Sequence, residues 1–228
     1  MATNDPLLYE RNVADVVRIA EESLGTILDK SGTILYSSCE TLKPGKYYFL
    51  GLNPGGSDEN TETIRSSLNQ LELGKSTKNA YLDENWGSDS RSYDKAGHPL
   101  QMNFNCLFEA LGEDSRTVCA SNLIFKRSAD EGGAGYPELA ELCWPVHKAI
   151  LEIVRPSAII TFGKQPFDFI RGKIGGTDHE KYPSGHGKWT WCYSILKTGE
   201  KLIGVPHLSL YALRCHPEVI EKIGLLIA

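Results

Sequence analysis

Short apolar runs alternate with amphipathic segments along most of the chain. Each of four strand-like runs ends in a turn rich in Gly, Pro or polar residues, and apolar positions between them recur at helical spacing. The predicted strands are 47–50, 117–125, 157–162 and 201–205, and the predicted helices are 13–28, 63–73, 100–111, 136–154, 164–172 and 217–228. Segment 189–196 fits a further strand or one arm of a hairpin.

This alternation predicts an α/β fold. Strands that alternate with helices pair in parallel through right-handed crossovers, and the helices cover both faces of the sheet. We therefore expect a three-layer α/β/α arrangement around a central, mostly parallel four-stranded sheet. The 228 residues fit a single domain, with an N-terminal helical extension at 1–45 and a long polar insertion at 57–97.

Composition narrows the class of protein. A net charge of −5 argues against broad attraction to a polyanion, although a local basic patch remains compatible with it. The six cysteines lack metal-ligand spacing, so no metal is expected. Cys106, Cys119 and Cys143 lie in apolar runs, which favours buried free thiols in a reducing cytoplasm. No secretory signal and no membrane-spanning run is evident, so we expect a cytoplasmic protein with no membrane partner.

Polar side chains follow three of the predicted strands. Asn53 comes after the first strand in a Gly- and Pro-rich turn, Asn122 lies near the end of the second, and His207 and Ser209 follow the fourth. A residue before proline is held extended, which directs the Asn53 side chain out of its loop. Because the carboxyl ends of parallel strands meet at one sheet edge, we expect these side chains to line one crevice.

These residues resemble motifs of the uracil-DNA glycosylase superfamily. Residues 51–55, Gly-Leu-Asn-Pro-Gly, resemble its first motif in the form found in the mismatch-specific uracil/thymine branch. Residues 121–127 resemble the strand that carries the uracil-reading asparagine, and 143–163 are similar to a helix–Pro–strand–Gly segment of the iron–sulfur branch. Residues 206–209, Pro-His-Leu-Ser, are similar to the His-Pro-Ser second motif. The resemblance covers roughly residues 45–225 in the correct order.

The resemblance implies a uracil-DNA glycosylase-like fold and a function. The chain would be a monofunctional, cofactor-free DNA glycosylase that hydrolyses the N-glycosidic bond of uracil or another deaminated or mismatched base, in base excision repair. Its partner would be DNA containing such a base, and it would act as a monomer. Asn53 would orient the attacking water, and His207 would donate a hydrogen bond to O2 of the leaving base. Asn122 would read the N3–H and O4 edge of uracil.

Further residues receive roles from the same resemblance. Ser209 and the amide groups around Gly55 would hold flanking phosphates, and Lys126 with Arg127 would meet the DNA backbone. The remaining substrate-binding residues are Gly51, Leu52 and Pro54 of the first motif, and the candidates for a wedge inserted into DNA are Leu208, Leu210 and Tyr211. The candidates for stacking on the base are Trp86, Tyr93 and Phe104.

Several departures from the family pattern leave alternatives open. Leu208 replaces the expected proline, the first motif has no acidic residue, and the four-cysteine pattern of the iron–sulfur branch is missing, so no cluster is expected. Asn122 and His207 also have purely structural interpretations. One alternative is a non-catalytic module that binds uracil or a nucleotide. Another is a hydrolase for a nucleotide-like small molecule, which predicts a pocket closed over by 57–97, whereas DNA binding predicts a basic strip beside the crevice.

Overall fold

The computed structural model describes residues 11–57, 62–88, 91–130 and 132–228. Its helices are α1 (Val13–Ser23), α2 (Ile64–Glu72), α3 (Ala80–Asp83), α4 (Pro99–Ala110), α5 (Glu138–Val154), α6 (Lys164–Ile174) and α7 (Pro217–Ile227). Its strands are β1 (Tyr47–Gly51), β2 (Gly87–Ser88), β3 (Arg91–Ser92), β4 (Cys119–Asn122), β5 (Ala158–Phe162), β6 (Gly176–Pro183), β7 (Thr190–Leu196) and β8 (Lys201–Val205).

The main sheet has six strands in the order β4-β1-β5-β8-β7-β6. The first four are parallel, and β7 and β6 continue the sheet as antiparallel strands. The predicted α/β class is confirmed, but the expected count of four strands was wrong. The strand β6 escaped prediction because its sequence, GTDHEKYP, is mostly polar and exposed, as suits an edge strand that pairs on one side only.

The sheet is buried on both sides where β1 runs through it. Successive residues of a strand point to opposite faces, and along β1 they enter two different apolar clusters. Tyr48 and Leu50 belong to a cluster that includes residues of α1, α2 and α5. Tyr47 and Phe49 belong to a second cluster that includes residues of α4 and α7. This explains why β1 reads as a continuous apolar run rather than an alternating one.

The long helix α5 ends where the sequence predicts. Arg155 follows its last residue in the left-handed conformation, with φ of 48°. Pro156 comes next, and a residue before proline avoids the right-handed helical region, so the helix cannot continue. The helix α1 is shorter than predicted: it ends at Ser23, and the chain then makes a turn over residues 25–29. Leu24, Ile27 and Leu28 remain buried.

A buried polar link ties α5 to the sheet. The His147 ring is fully buried, its Nδ1 lies 2.8 Å from the Tyr48 hydroxyl and its Nε2 lies 3.0 Å from the Leu123 carbonyl oxygen. A carbonyl can only accept, so Nε2 carries the proton and Nδ1 accepts the Tyr48 proton. Burial disfavours the charged ring and lowers the pKa of His147 to about 4. The link holds β1 and the end of β4 in place beside each other.

Two of the three cysteines that were expected to be buried thiols are buried in the structure. Cys119 and Cys143 are buried, whereas Cys106 is only partly buried, and all six cysteines are unpaired. Across the described ranges, no helix combines the length and the apolar character that crossing a membrane requires.

Candidate functional site

The ends of the four parallel strands meet at one edge of the sheet. Gly51 is opposite Asn122, and Phe162 is opposite Val205, so the turns that follow these strands lie side by side. A crevice of about 1710 Å³ opens at this edge, and Asn53, Asn122 and His207 all line it. The predicted convergence of these three side chains on one crevice is confirmed.

Asn122 is the most unusual polar group in the crevice. Its side chain lines the crevice although the residue is only 3 % exposed. The amide nitrogen Nδ2 has no hydrogen-bond partner among the described residues. Leaving a buried donor unpaired costs free energy on the order of 1–3 kcal/mol, so such a group calls for an acceptor from a ligand or an ordered water.

Phe162 lines the crevice beside Asn122, and Gly51 lies directly behind both side chains. A methyl group at residue 51 would lie 2.4 Å from Asn122 Oδ1 and 2.4 Å from Phe162 Cζ, so only glycine lets the two side chains close over the strand. The Phe162 ring stacks on Phe49 and meets the His207 ring edge-on, with centroids 5.3 Å apart. Sequence reasoning missed Phe162, because an apolar residue at a strand end reads as ordinary core.

The loop after β1 is fastened to the loop after β4. Asn53 Nδ2 donates to the carbonyl oxygens of Pro54 at 2.9 Å and Ser128 at 3.2 Å, and the Ser128 amide donates back to Pro54 at 3.0 Å. The Asn53 amide nitrogen is therefore used in holding the loop, and Oδ1 is the atom left to act as an acceptor in the crevice. Leu52 and Gly55 line the crevice, whereas Gly51 and Pro54 lie behind its surface.

His207 is oriented by Ser209. The Ser209 hydroxyl lies 2.7 Å from His207 Nδ1, and the Ser209 amide donates to the same nitrogen at 3.4 Å. A ring nitrogen that accepts from a backbone amide is unprotonated, so Nε2 carries the proton of the neutral ring. The hydroxyl that was expected to contact a phosphate thus holds the imidazole instead, in the tautomer that presents Nε2 as a donor.

The polar segment predicted as an insertion supplies one wall of the crevice. Glu62, Glu84, Trp86 and Tyr93 from this segment line it, together with Tyr36. Trp86 packs against Tyr36 and Tyr81, with centroid distances of 6.0 and 5.5 Å. Two of the three predicted stacking residues, Trp86 and Tyr93, therefore border the crevice, but Phe104 is fully buried in the apolar core and cannot stack on a ligand.

The two predicted DNA-backbone cations occupy different environments. Arg127 lines the crevice, and its Nη1 donates to the Gly55 carbonyl oxygen of the first motif. Lys126 does not border the crevice, and its backbone forms an isolated antiparallel bridge with Gly32. The expectation of an adjacent Lys–Arg pair facing one DNA strand is therefore not supported, because the two side chains of an extended chain diverge.

The turn after β8 separates the three wedge candidates. Leu208 and Tyr211 are fully buried, and the Tyr211 hydroxyl donates to the Ser184 carbonyl oxygen at 2.6 Å. Neither can insert into DNA in this conformation, so that prediction was wrong for both. Leu210 is 72 % exposed and lines the crevice, as does Trp189, which is 40 % exposed. These two apolar side chains stand at the crevice mouth.

Charges around the crevice are mixed rather than basic. Four carboxylates and four cationic side chains line it: Glu62, Asp83, Glu84, Asp130, Lys75, Lys78, Arg127 and Lys164. Partial burial and the neighbouring carboxylate of Glu84 raise the pKa of Glu62. Burial also raises the pKa of Tyr36 to about 12, against the opposing effect of Arg127. The wall therefore offers hydrogen-bond acceptors as well as donors.

The site has no evident ligand set for a metal. Within 11–57, 62–88, 91–130 and 132–228, no group of three or more His, Cys, Asp or Glu side chains is placed to hold a metal ion. No protein-family model matches this chain, and no curated protein matches it.

Proposed function

We propose that the chain is a DNA glycosylase that hydrolyses the N-glycosidic bond of uracil or another deaminated or mismatched base. The observation that carries the proposal is the buried, unpartnered Nδ2 of Asn122 in a crevice shared with Asn53 and His207. We also propose that the helix groups on the two sheet faces form the three-layer α/β/α arrangement of a uracil-DNA glycosylase-like domain. The motif order along the chain supports both proposals.

The base would enter the crevice after leaving the helical stack. Asn122 Nδ2 needs an acceptor, and the O4 carbonyl of uracil or the O6 carbonyl of hypoxanthine or xanthine supplies one. An exocyclic amino group at the same position, as in cytosine or adenine, would instead place two donors against each other. This contrast selects uracil over cytosine and hypoxanthine over adenine on hydrogen-bonding grounds, whereas guanine and xanthine carry the same O6 carbonyl and are not separated by it.

Bond cleavage would use the other two side chains. Asn53 Oδ1 accepts a hydrogen bond from the water that attacks the anomeric carbon, but an amide cannot take its proton as a carboxylate does. His207 Nε2–H donates to O2 of the base as negative charge develops on it. Since positioning replaces base catalysis, we expect slow turnover that is fastest for weakly paired or mismatched bases.

A hydrolase for a free nucleoside or nucleotide is the second candidate. Two observations favour it: residues from segment 62–98 wall the crevice, and the crevice charges balance instead of forming a basic strip. DNA binding relies on a surplus of cations, which this surface does not provide by itself. The apolar pair Leu210 and Trp189 at the mouth favours the DNA candidate, since stacking and insertion do not depend on charge.

The deciding experiment compares base release from DNA and from monomers. Duplex and single-stranded oligonucleotides that carry one U, T·G, hypoxanthine or xanthine lesion are incubated with the protein, and alkali-labile abasic sites are counted. The matching free nucleosides and nucleotides are followed by chromatography. We expect abasic product from at least one oligonucleotide, with Asn53→Ala and Asn122→Ala strongly impaired and the exposed control Asn69→Ala unchanged.

Each other outcome has a defined meaning. Release of base from monomers only would replace the DNA glycosylase by the second candidate. Uracil binding to the wild-type protein without product on any substrate would indicate a non-catalytic binding module. Product formation that Asn53→Ala does not reduce would remove the assigned site.

A further inference from the structure

Trp189 lies in the loop of residues 184–189, which joins β6 to β7. The loop is closed by its own hydrogen bonds. The Ser184 amide donates to the Trp189 carbonyl oxygen at 2.9 Å, and the Trp189 amide donates to the His186 carbonyl oxygen at 3.0 Å. The His186 amide in turn donates to the Ser184 hydroxyl oxygen at 3.2 Å. These bonds fix the backbone that carries the indole.

A buried tyrosine attaches this loop to the turn after β8. The Tyr211 hydroxyl donates to the Ser184 carbonyl oxygen at 2.6 Å, and the Tyr211 side chain is fully buried. The Tyr211 carbonyl oxygen accepts from Asn103 Nδ2 at 3.0 Å, which ties the turn to α4. Because Leu210 directly precedes Tyr211, the same buried residue positions both exposed apolar side chains of the crevice mouth, Trp189 and Leu210.

The indole of Trp189 is open to a stacking ligand. The residue is 40 % exposed and lines the crevice. Its aromatic neighbours His186 and Tyr211 have ring centroids 4.9 and 6.4 Å away, and their planes are inclined to the indole by 56° and 58°. Neither neighbour lies flat against the indole, so neither occupies a stacking position on it. An aromatic side chain on a fixed loop also loses little conformational freedom when a planar group binds to it.

The order of the strands places Trp189 beside the scissile base. Asn122 ends β4 and His207 follows β8, so a base that contacts both lies across the ends of β1 and β5. The next strand beyond β8 is β7, which is antiparallel to β8 and therefore begins at the edge where β8 ends. Trp189 directly precedes β7 and so lies about one strand spacing, roughly 4.8 Å, beyond β8.

The crevice has room and chemistry for a second nucleotide. Its volume of about 1710 Å³ exceeds the roughly 300–1,000 Å³ of typical small-molecule sites. Its lining has four carboxylates and four cations, so contacts to phosphates gain little from a surplus of positive charge. Stacking on an aromatic side chain needs no such surplus, and every nucleobase has a face for it.

We propose that Trp189 is the stacking site for the base next to the scissile nucleotide in single-stranded DNA. The neighbouring base lies flat on the indole while the scissile base contacts Asn122 and His207. In a duplex the neighbouring base keeps its partner and its place in the stack, so it does not reach the indole. The position of the scissile base rests on the proposed glycosylase function.

The test measures binding and needs no cleavage. Fluorescence anisotropy follows the full chain on single-stranded thymidine oligomers with one central 2′-fluoro-deoxyuridine, whose glycosidic bond resists hydrolysis. An abasic tetrahydrofuran spacer replaces the nucleotide on the 5′ side, the nucleotide on the 3′ side, or a nucleotide near one end. We expect the spacer on one of the two adjacent sides to weaken binding by the wild-type protein about tenfold, and the distant spacer to change it by less than about twofold.

The variants form a thermodynamic cycle with the spacers. Trp189→Ala should weaken binding of the spacer-free oligomer about tenfold, and it should cost less than about twofold once the sensitive neighbour is already a spacer. Trp189→Phe retains an aromatic face and should stay within about threefold of the wild-type protein. Leu225→Ala is the matched control, because Leu225 is 70 % exposed on α7 and lies outside the crevice. Thermal melting of each variant checks that it is folded.

Four results would overturn the inference. They are no detectable binding of the single strand, an unchanged affinity in Trp189→Ala, a loss of the same size with and without each spacer, and an equal loss on single-stranded and duplex oligomers. The base-release assay separates this inference from the proposed function. Coupling between Trp189 and a spacer without release of any base would remove the glycosylase but retain the stacking site, and base release without coupling would remove only the stacking site.

Discussion

Asn122 and Gly51 face each other across neighbouring parallel strands, and the absence of a side chain at residue 51 is what lets the asparagine amide fold over the sheet edge. A Cβ atom at residue 51 would meet Asn122 Oδ1 and Phe162 Cζ at 2.4 Å each. A glycine on the adjacent strand thus determines the position of Asn122 Nδ2, the buried amide nitrogen that has no hydrogen-bond partner among the described residues.

We expect Gly51→Ala to displace Asn122 and Phe162 and to reduce base release at least about tenfold, with a loss of stability of about 1–3 kcal/mol from overpacking. Gly172→Ala is the matched control, because no atom lies within 4 Å of the added methyl group in the helix α6. It should stabilise the protein by about 0.5–1 kcal/mol. Urea unfolding and the abasic-site assay measure both effects, and a fully active Gly51→Ala variant would contradict the role of this contact.

The same substitution at two buried asparagines should change the free energy of unfolding in opposite directions. Asn122→Leu removes an unpaired buried donor, so we expect it to raise the free energy of unfolding by about 1 kcal/mol while it abolishes ligand binding. Asn103 donates to the carbonyl oxygens of Leu208 and Tyr211 and accepts from the Arg214 amide. Asn103→Leu leaves these three groups unpaired and should cost on the order of 3 kcal/mol. Destabilisation of similar size in both variants would show that Asn122 is paired in solution.

The buried imidazole of His147 should make stability depend on pH. Its pKa in the folded protein is about 4, below the ordinary value of 6.5, so the unfolded chain binds a proton that the folded chain rejects. The contribution is complete above pH 6.5 and declines as the pH falls towards 4, by on the order of 3 kcal/mol. Denaturant unfolding at a series of pH values measures this slope.

His147→Gln provides the comparison for that slope. Glutamine retains a donor and an acceptor but does not titrate, so the decline between pH 6.5 and 4 should become much shallower. His179 also has a lowered pKa, caused by burial and by Arg171, but it is mostly exposed and contributes less. An unchanged slope in His147→Gln would assign the pH dependence to other groups.

Substitutions of two leucines in the turn after β8 should have separate effects. One should lower the stability of the fold, and the other should slow the cleavage of duplex DNA. Leu208→Ala opens a cavity in the core and should cost about 2–5 kcal/mol. Leu210→Ala changes an exposed side chain and should alter stability by no more than about 0.5 kcal/mol. If Leu210 helps to extrude the base, its removal slows cleavage of duplex DNA about tenfold while cleavage of single strands changes by less than about twofold. Equal effects on both substrates would exclude a wedge role for Leu210.

The recurring pattern of a short apolar run followed by a turn made the parallel strands predictable from the sequence. The four parallel strands are short apolar runs, and each ends at a Gly, Pro or polar turn that locates the site edge, so Asn53, Asn122 and His207 were found together. Segment 189–196 was recognised as a strand or hairpin arm but not counted in the four-stranded sheet, and β6 was missed because its polar sequence carries no apolar signal.

Other features depend on contacts between distant residues and could not be read from local pattern. Phe162 looks like any core residue until Gly51 and His207 are placed beside it. Leu208, Leu210 and Tyr211 share one short turn, and only its three-dimensional path separates the exposed leucine from the two buried side chains. Glu84 and Trp86 follow the predicted helix 63–73 in a polar stretch whose sequence has neither helical nor strand periodicity.

The two hydrogen bonds that Asn53 donates to carbonyl oxygens limit how this fold could evolve a faster turnover. An aspartate there would supply a base for the attacking water. It would also place a carboxylate oxygen, which can only accept, against the carbonyl oxygens of Pro54 and Ser128, each of which now accepts a hydrogen bond from Asn53 Nδ2. The hydrogen bonds that join the two loops would be replaced by repulsion between oxygen atoms. A carboxylate at residue 53 would therefore require a different conformation of the turn after β4. The catalytic group and the loop that holds it would have to change together.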